Sequence, residues 1–148
     1  MRSYPALAAL PAQFAALPQP LYVFDGLCVL CSTTVHFLIR HDRAGAIHFT
    51  TAQGAIGQRL YGALGLARDN FETFLFIDGG QVYAHSAAIF RFLRYLPWRW
   101  RALGALQLLP RGANDRFYGW IARHRYRFFG RRQACLMPDQ AIAWRFID

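Results

Sequence analysis

Short apolar runs and amphipathic stretches alternate along this chain, which is the pattern of an α/β protein. Leu21–Phe24 is apolar throughout and precedes an Asp-Gly pair, so we predict a strand followed by a tight turn. Residues 28–40 place apolar side chains at helical spacing, and the alternation over residues 46–50 indicates a second strand. These three elements form a βαβ unit, whose two strands should run parallel.

A second helix and an antiparallel hairpin are expected next. Residues 52–64 have the composition and spacing of a helix, and residues 71–77 form the most β-favouring run in the sequence. The two glycines of Asp78-Gly79-Gly80 can adopt the positive φ that a hairpin turn requires. The segment Gln81–Ala84 should therefore return antiparallel to the strand before it.

Three further helices complete the predicted fold. Ser86 is a candidate N-cap for a helix over residues 87–96, which ends before a proline. The order up to this point is β-α-β-α-β-β-α, the minimal order of a thioredoxin-like α/β fold. Residues 98–109 and 115–129 predict two extra C-terminal helices, with Asn114 as the N-cap of the last.

A chain of 148 residues that is 55% hydrophobic has room for one domain with its own core. Residues 1–20 are rich in Ala and Pro, and we expect a loosely ordered leader on the surface of a single domain over residues 21–148. Prolines interrupt any apolar helix in that leader, which disfavours a signal peptide. Since no apolar run reaches about 18 residues and the three cysteines do not make a secreted disulfide scaffold, we expect a cytoplasmic location.

The positive charge of the chain is concentrated in its C-terminal half. All 17 basic residues are arginines; residues 75–148 carry 12 of them against 4 acidic residues, whereas residues 1–74 carry 5 against 4. Arginines alternate with aromatic residues over 91–101 and 116–132. That composition suits a membrane surface or a protein partner, and also nucleic acid, which we rank behind the other two. The plainest interpretation is two amphipathic helices that bury their aromatic side chains.

Two cysteines separated by two residues follow the first predicted turn. Cys28 and Cys31 fall at the start of a helix, where unpaired backbone N–H groups and the positive end of the helix dipole favour thiolate over thiol. A second thiol one turn away can attack a mixed disulfide and release the partner. We therefore predict a dithiol redox site in which Cys28, nearer the helix start and the solvent, attacks and Cys31 resolves. The alternatives are two buried, inert cysteines or part of a metal site, for which no other Cys or His has a suitable short spacing.

Other side chains are candidates for supporting roles. Asp25 either exchanges a proton with a cysteine or caps the turn through its carboxylate, and one side chain can do both. Gly26 in the same turn and Ser86 are candidate substrate-binding residues, Ser86 either for a carboxylate such as that of glutathione or simply as an N-cap. Cys135 is either a third redox thiol or a buried structural cysteine. We interpret His85 as a loop or packing residue rather than a base.

Several motifs occur in a fixed order from the first turn towards the C-terminus. They are Asp25-Gly26-x-Cys28-x-x-Cys31, His85-Ser86-Ala87-Ala88, Pro110-Arg111, Tyr118, Arg125-Tyr126-Arg127, Phe129-Gly130 and Cys135. In these motifs the sequence resembles the DCC family of predicted thiol-disulfide oxidoreductases, named for an Asp-Cys-Cys pattern. The resemblance covers roughly residues 20–138 and implies a small thioredoxin-like protein with disulfide chemistry at Cys28 and Cys31. Unlike thioredoxins in general, the chain has no proline over residues 66–70, where a cis bond would lie beside the dithiol.

Two hypotheses of different class follow. The first is an enzyme, a cytoplasmic thioredoxin-like thiol-disulfide oxidoreductase that needs no bound cofactor. Its partners would be protein or low-molecular-weight thiols and disulfides, glutathione among them. The second is a thioredoxin-like binding module whose basic, aromatic C-terminal half docks to a membrane surface or a protein partner, with cysteines that are incidental.

Overall fold

The structure is a computed structural model that describes residue 4 and residues 6–68, 74–108, 110–129 and 140–147. Its strands are β1 (Leu21–Phe24), β2 (His48–Thr51), β3 (Leu75–Asp78) and β4 (Gln81–Ala84). Its α-helices are α1 (Val29–His41), α2 (Ala55–Ala63), α3 (His85–Phe92), α4 (Trp98–Arg101) and α5 (Arg111–Phe129). Short 3-10 helices occupy Leu7–Ala9, Ala12–Phe14, Leu93–Tyr95, Ala102–Leu108 and Gln140–Arg145. A strand was expected over residues 71–77. In the described part of the chain β3 starts at Leu75, and residues 71–73 lie outside that part.

The four strands form one mixed sheet in the order β2-β1-β3-β4. β1 and β2 are parallel, with Leu21 opposite His48, as expected for a βαβ unit in which α1 is the crossover. β3 is antiparallel to both β1 and β4. Gly79 and Gly80 have φ values of 58° and 78° in the turn between β3 and β4, so the predicted hairpin is confirmed. This topology, with the order β-α-β-α-β-β-α, is a thioredoxin-like α/β fold.

Alternating side chains of the central strands fill a core on each face of the sheet. Tyr22 and Phe24 of β1 pack together with Phe76 of β3 against residues of α1 and α3. Leu21 and Val23 of β1 belong to a second core with residues of α2. Side chains of a strand point alternately to the two faces of the sheet, and both faces of β1 are covered. β1 is therefore buried along its whole length and lies between α1 and α2.

The N-terminal segment is attached more closely than we expected for a surface leader. Phe14 is 3% exposed and belongs to the core on the α2 side of the sheet. Tyr4, Leu10 and Leu17 are partly buried against the same core. The physical reason is that α2, with 9 residues, covers only part of that face, so apolar side chains from the N-terminal segment cover more of it.

The predicted N-cap of the third helix is wrong. α3 begins at His85 with Ala84 as its N-cap, which places Ser86 inside the first turn. The Ser86 hydroxyl donates a hydrogen bond of 2.7 Å to a carboxylate oxygen of Asp115 on α5. The Ser86 side chain therefore connects two helices instead of capping the start of α3, the role that its residue type had predicted.

The start of the last helix is also earlier than predicted. α5 begins at Arg111, and the Pro110 carbonyl oxygen accepts its first backbone hydrogen bond, from the Asn114 N–H at 3.3 Å. Asn114 lies within the first turn, and its side-chain amide donates to the Leu106 carbonyl oxygen at 3.2 Å instead of capping. In the described part of the chain, no helix combines the length and apolarity needed to cross a bilayer.

The single helix expected over residues 98–109 is not continuous. α4 has 4 residues and passes into the 3-10 helix Ala102–Leu108. Gly104 in this stretch lowers its helix propensity, and several of its side chains are exposed, so packing adds little to hold an α-helical form.

The C-terminal segment lies along the outer edge of β2. The backbone N–H of Ile147 donates to the Phe49 carbonyl oxygen at 2.8 Å, which covers an edge that would otherwise present unpaired backbone groups. Arg145 is buried here and forms a salt bridge of 2.7 Å with buried Asp42, which follows α1. Burial lowers the pKa of Arg145, and the Asp42 carboxylate opposes that shift. The guanidinium also donates to the Ile47 carbonyl oxygen at 2.9 Å.

Gly57 marks a close approach between α2 and the end of β2. A Cβ atom at this position would lie 2.2 Å from the Thr51 carbonyl oxygen and 2.7 Å from the Ala52 Cα atom, so the backbone would have to move. We expect Gly57→Ala to lower the free energy of unfolding by about 1–3 kcal/mol. Gly62→Ala in the same helix is the control, because its Cβ would meet only Arg68 side-chain atoms at 3.6 Å. Urea unfolding should show Gly62→Ala unchanged or stabilised, and equal losses in both variants would contradict the expectation.

Candidate active site

The two cysteines lie at the start of α1, as the sequence predicts. Cys28 is the N-cap, with φ −81° and ψ 123°, and α1 itself begins one residue later than expected, at Val29. The Cys28 Sγ atom accepts a hydrogen bond from the backbone N–H of Cys31 at 3.4 Å. An N–H donor and the positive end of the helix dipole both stabilise negative charge on a sulfur atom in this position, whereas burial acts in the opposite direction.

The exposure of the two thiols differs from the expectation. Cys28, predicted to lie nearer the solvent, is 0% exposed, whereas Cys31 is 6% exposed. Both belong to the core formed with Tyr22 and Phe24. The Cys28 side chain accepts the Cys31 N–H and belongs to the same core cluster as the aromatic residues of β1, so its sulfur atom is shielded from solvent.

The turn between β1 and α1 is held by a side chain that the sequence analysis missed. Asp25 is 2% exposed, and one carboxylate oxygen accepts the backbone N–H of Leu27 at 3.0 Å and the side-chain amide of Gln53 at 2.5 Å. The other end of the same amide accepts the backbone N–H of Gly26 at 3.0 Å. Gln53 follows β2 and lies 28 residues from Asp25, so only the parallel pairing of β1 and β2 brings it to this turn.

These contacts define what Asp25 and Gly26 do in the turn. Asp25 caps it through its carboxylate, and its backbone carbonyl oxygen also accepts the Cys28 N–H at 3.2 Å. The second role considered for Asp25, proton exchange with a cysteine, stays a prediction. The Gly26 N–H donates to Gln53, and the substrate-binding role considered for Gly26 stays a prediction.

Tyr22 is the ionisable neighbour of the dithiol on β1. Its pKa is raised well above 10.0, first by burial and then by the charges of Cys31, Tyr118 and Cys28. The phenol therefore stays protonated and neutral when either cysteine ionises. A neutral hydroxyl in a buried cluster adds no negative charge that would oppose a thiolate.

α5 brings a second group of polar side chains to the start of α3. Ser86 is bonded to Asp115, and the His85 ring packs edge-on against Tyr118 with ring centroids 5.2 Å apart. Tyr118 also contacts Phe74 at 5.6 Å. The Ser86–Asp115 bond argues against the carboxylate-binding role considered for Ser86, because the Asp115 carboxylate already lies there and would repel another.

His85 occupies an unusual backbone conformation. Its φ of 56° is in the left-handed region, which is uncommon for a residue with a Cβ atom. Burial lowers its pKa from 6.5, while Asp115 acts in the opposite direction. The ring is consequently neutral at pH 7, and its packing against α5 agrees with the interpretation of a packing residue.

The lowered pKa of His85 sets the sign of a pH effect on stability. The unfolded chain binds a proton at His85 more readily than the folded chain, so this contribution is present above about pH 6.5 and is lost as the pH falls below it. We expect wild-type protein to lose more stability between pH 7.5 and 5.5 than His85→Asn, whose side chain tolerates the same φ. Urea unfolding at both pH values measures the difference, and an identical pH dependence would contradict it.

A metal ion at Cys28 and Cys31 would need further ligands, and the third redox thiol considered above would be Cys135. Among the described residues, no group of three or more His, Cys, Asp or Glu side chains is placed to hold a metal ion. Cys135, considered as a third redox thiol, lies outside the described residues.

Fold and site together define a class of protein. A thioredoxin-like sheet with a Cys-x-x-Cys pair at the start of the helix after its first strand is the arrangement of a thioredoxin-like dithiol protein. The sequence profile of the DCC1-like thiol-disulfide oxidoreductases matches residues 22–131. This chain belongs to that family, as the resemblance in its motifs implied.

Two relatives support the assignment. The chain is 38% identical over 131 residues to an uncharacterized protein, YuxK, of Bacillus subtilis (strain 168), with 88% of this chain and 96% of YuxK covered. It is 31% identical over 118 residues to a chloroplastic DCC family protein, At1g52590, of Arabidopsis thaliana, with 79% of this chain and 69% of the relative covered. No solved structure matches the chain.

Proposed function

We propose that this protein is a thiol-disulfide oxidoreductase that uses Cys28 and Cys31 as its redox pair. The observation that carries the proposal is the N-cap position of Cys28, whose Sγ atom lies 3.4 Å from the Cys31 N–H donor. A sulfur atom in this position gains stabilisation as a thiolate, which is the form that attacks disulfides. Membership of a family named for this activity supports the same function.

The reaction proceeds by two exchanges. The Cys28 thiolate attacks one sulfur of a substrate disulfide, forms a mixed disulfide and releases the other substrate sulfur as a thiolate that takes up a proton. Cys31, after losing its proton, attacks the Cys28 sulfur, closes the Cys28–Cys31 disulfide and releases the second substrate thiol. The substrate gains two electrons and the dithiol loses two. Two molecules of a low-molecular-weight thiol such as glutathione, or one dithiol protein, then reduce the pair.

Burial of the dithiol restricts which disulfides can react. Cys28 has no exposed surface and Cys31 is only 6% exposed. A substrate sulfur therefore reaches Cys28 only when the groups that cover it move aside. We infer that small or extended disulfides react faster than disulfides buried in folded proteins.

The proposal is tested on the full-length Cys135→Ser variant, so that only the pair contributes. Equilibration with glutathione buffers of increasing oxidation should convert the protein to a form that is 2 Da lighter, with Cys28 and Cys31 joined in one peptide by mass spectrometry. The pH dependence of alkylation should show one thiol ionising below about pH 8.5. The proposal would be overturned if the pair stayed reduced in oxidised glutathione and neither thiol ionised below about pH 8.5.

A further inference from the structure

We propose that the segment following α3 is a docking surface for an anionic lipid bilayer. The surface consists of Trp98, Leu103, Leu106 and Leu108 together with Arg94, Arg99 and Arg101, and we call it the 94–108 surface. Neither the dithiol reaction nor the family assignment gives this surface a role.

The 94–108 surface exposes a group of large apolar side chains. Trp98 is 76% exposed, Leu108 is 90% exposed, and Leu103 and Leu106 are each close to half exposed. Single apolar residues at the surface are ordinary, whereas four exposed ones within eleven consecutive residues are a concentration of apolar surface that favours an apolar partner.

The first part of the segment that carries these side chains is fixed to the body of the protein. The Trp100 ring packs edge-on against Phe37 of α1 at 4.8 Å and is tilted against His41 at 5.3 Å. Trp98, two residues earlier, is directed to solvent. Trp98 is therefore exposed on an anchored element and not on a detached loop.

The charge of the surface is complementary to acidic headgroups. Arg94, Arg99 and Arg101 are exposed, and the sequence contains no acidic residue between Asp78 and Asp115. Arg94 and Arg101 also line a groove of about 450 Å³ whose other walls are apolar and include Phe90, Leu93 and Leu108. Two guanidinium groups beside apolar walls can hold a phosphate while the hydrocarbon of the same lipid contacts the groove.

A bilayer fits these features better than a nucleic acid does. Three of the four exposed apolar side chains are leucines, which insert into the boundary between headgroups and acyl chains but do not stack on bases. Trp98 adds a side chain of the kind enriched at membrane interfaces. The interleaved arginines supply attraction to the negative surface of the bilayer.

The test is flotation of the full-length protein with two kinds of vesicle, one of phosphatidylcholine alone and one containing phosphatidylglycerol. We expect binding only to the anionic vesicles. Arg94→Gln/Arg101→Gln should weaken it about 30-fold, at about 1 kcal/mol per arginine. Arg59→Gln/Arg68→Gln removes the same charge from exposed positions on and after α2, and should bind like wild type apart from a small general effect.

A second pair of variants separates insertion from charge. Trp98→Ser/Leu108→Ser should weaken binding about tenfold, because two exposed apolar side chains no longer enter the bilayer. Trp144→Ser, which removes another exposed tryptophan beside β2, should leave binding unchanged. Absence of binding, equal loss in the two arginine pairs, or no loss in Trp98→Ser/Leu108→Ser would each overturn the proposal. Binding of a single-stranded oligonucleotide that depends on Arg94 and Arg101, without vesicle binding, would assign the surface to nucleic acid instead.

Discussion

Cys28→Ser should reduce the rate of disulfide exchange by at least about 10³-fold, to the uncatalysed background, because a serine hydroxyl does not ionise near neutral pH and cannot replace the attacking thiolate. The fold should survive, since serine is among the best N-cap residues and its oxygen can accept the same Cys31 N–H. The rate is measured with oxidised glutathione or a small aromatic disulfide. Urea unfolding of the same sample then shows that a lost rate is not lost structure.

Cys31→Ser is the matched variant, and it should fail at a different step. Cys28 still attacks, but no second thiol resolves the mixed disulfide, so the protein should accumulate as an adduct with the substrate thiol. Mass spectrometry of the Cys31→Ser protein after exposure to oxidised glutathione measures this adduct, and a reducing agent should remove it.

The exposure of the two thiols indicates which result would reverse the roles assigned to Cys28 and Cys31. Because Cys31 is the more exposed of the pair, a substrate that cannot displace the cover over Cys28 would meet Cys31 first. Adduct accumulation in Cys28→Ser, with none in Cys31→Ser, would show that the roles are reversed. Activity that is retained in both variants would contradict the dithiol mechanism altogether.

Local patterns were enough to predict the framework of the site. The apolar run of β1, the Asp-Gly turn and the spacing of Cys28 and Cys31 act over a few residues, and each leaves a signal in the sequence. The hairpin between β3 and β4 was predictable for the same reason, since its glycines take the positive φ that the turn requires.

What the sequence did not reveal depends on contacts between distant parts of the chain. Gln53 reaches Asp25 only because β1 and β2 pair in parallel, and no spacing rule marks an isolated glutamine for that role. Ser86 and Asn114 both have the chemistry of an N-cap, yet each bonds to another element of the C-terminal half. Tertiary hydrogen bonds outweighed a capping preference of about 1 kcal/mol in both cases.

The pair of Arg145 and Asp42 is the most distant of these contacts, at 103 residues, and it carries the second large expected effect. The two side chains are 4% and 1% exposed, and the carboxylate oxygen that accepts from Arg145 also accepts the Ile47 N–H at 2.8 Å. Arg145→Met would leave the Asp42 carboxylate buried without its counter-charge. We expect the free energy of unfolding to fall by about 3–5 kcal/mol.

Two comparisons isolate the cause of that loss. Arg91→Gln breaks the salt bridge between Arg91 and Asp78, whose side chains are 27% and 11% exposed. It should cost less than Arg145→Met, because more solvent reaches this pair and Tyr95 still donates a hydrogen bond to the Asp78 carboxylate. Asp42→Leu/Arg145→Met removes both buried charges and should be more stable than Arg145→Met alone, since no carboxylate is then stranded. Urea unfolding at pH 7 gives all three values. If Arg145→Met lowered the free energy of unfolding no more than Arg91→Gln, the C-terminal segment would contribute little to stability through Arg145. Its attachment to the edge of β2 would then depend on its backbone contacts.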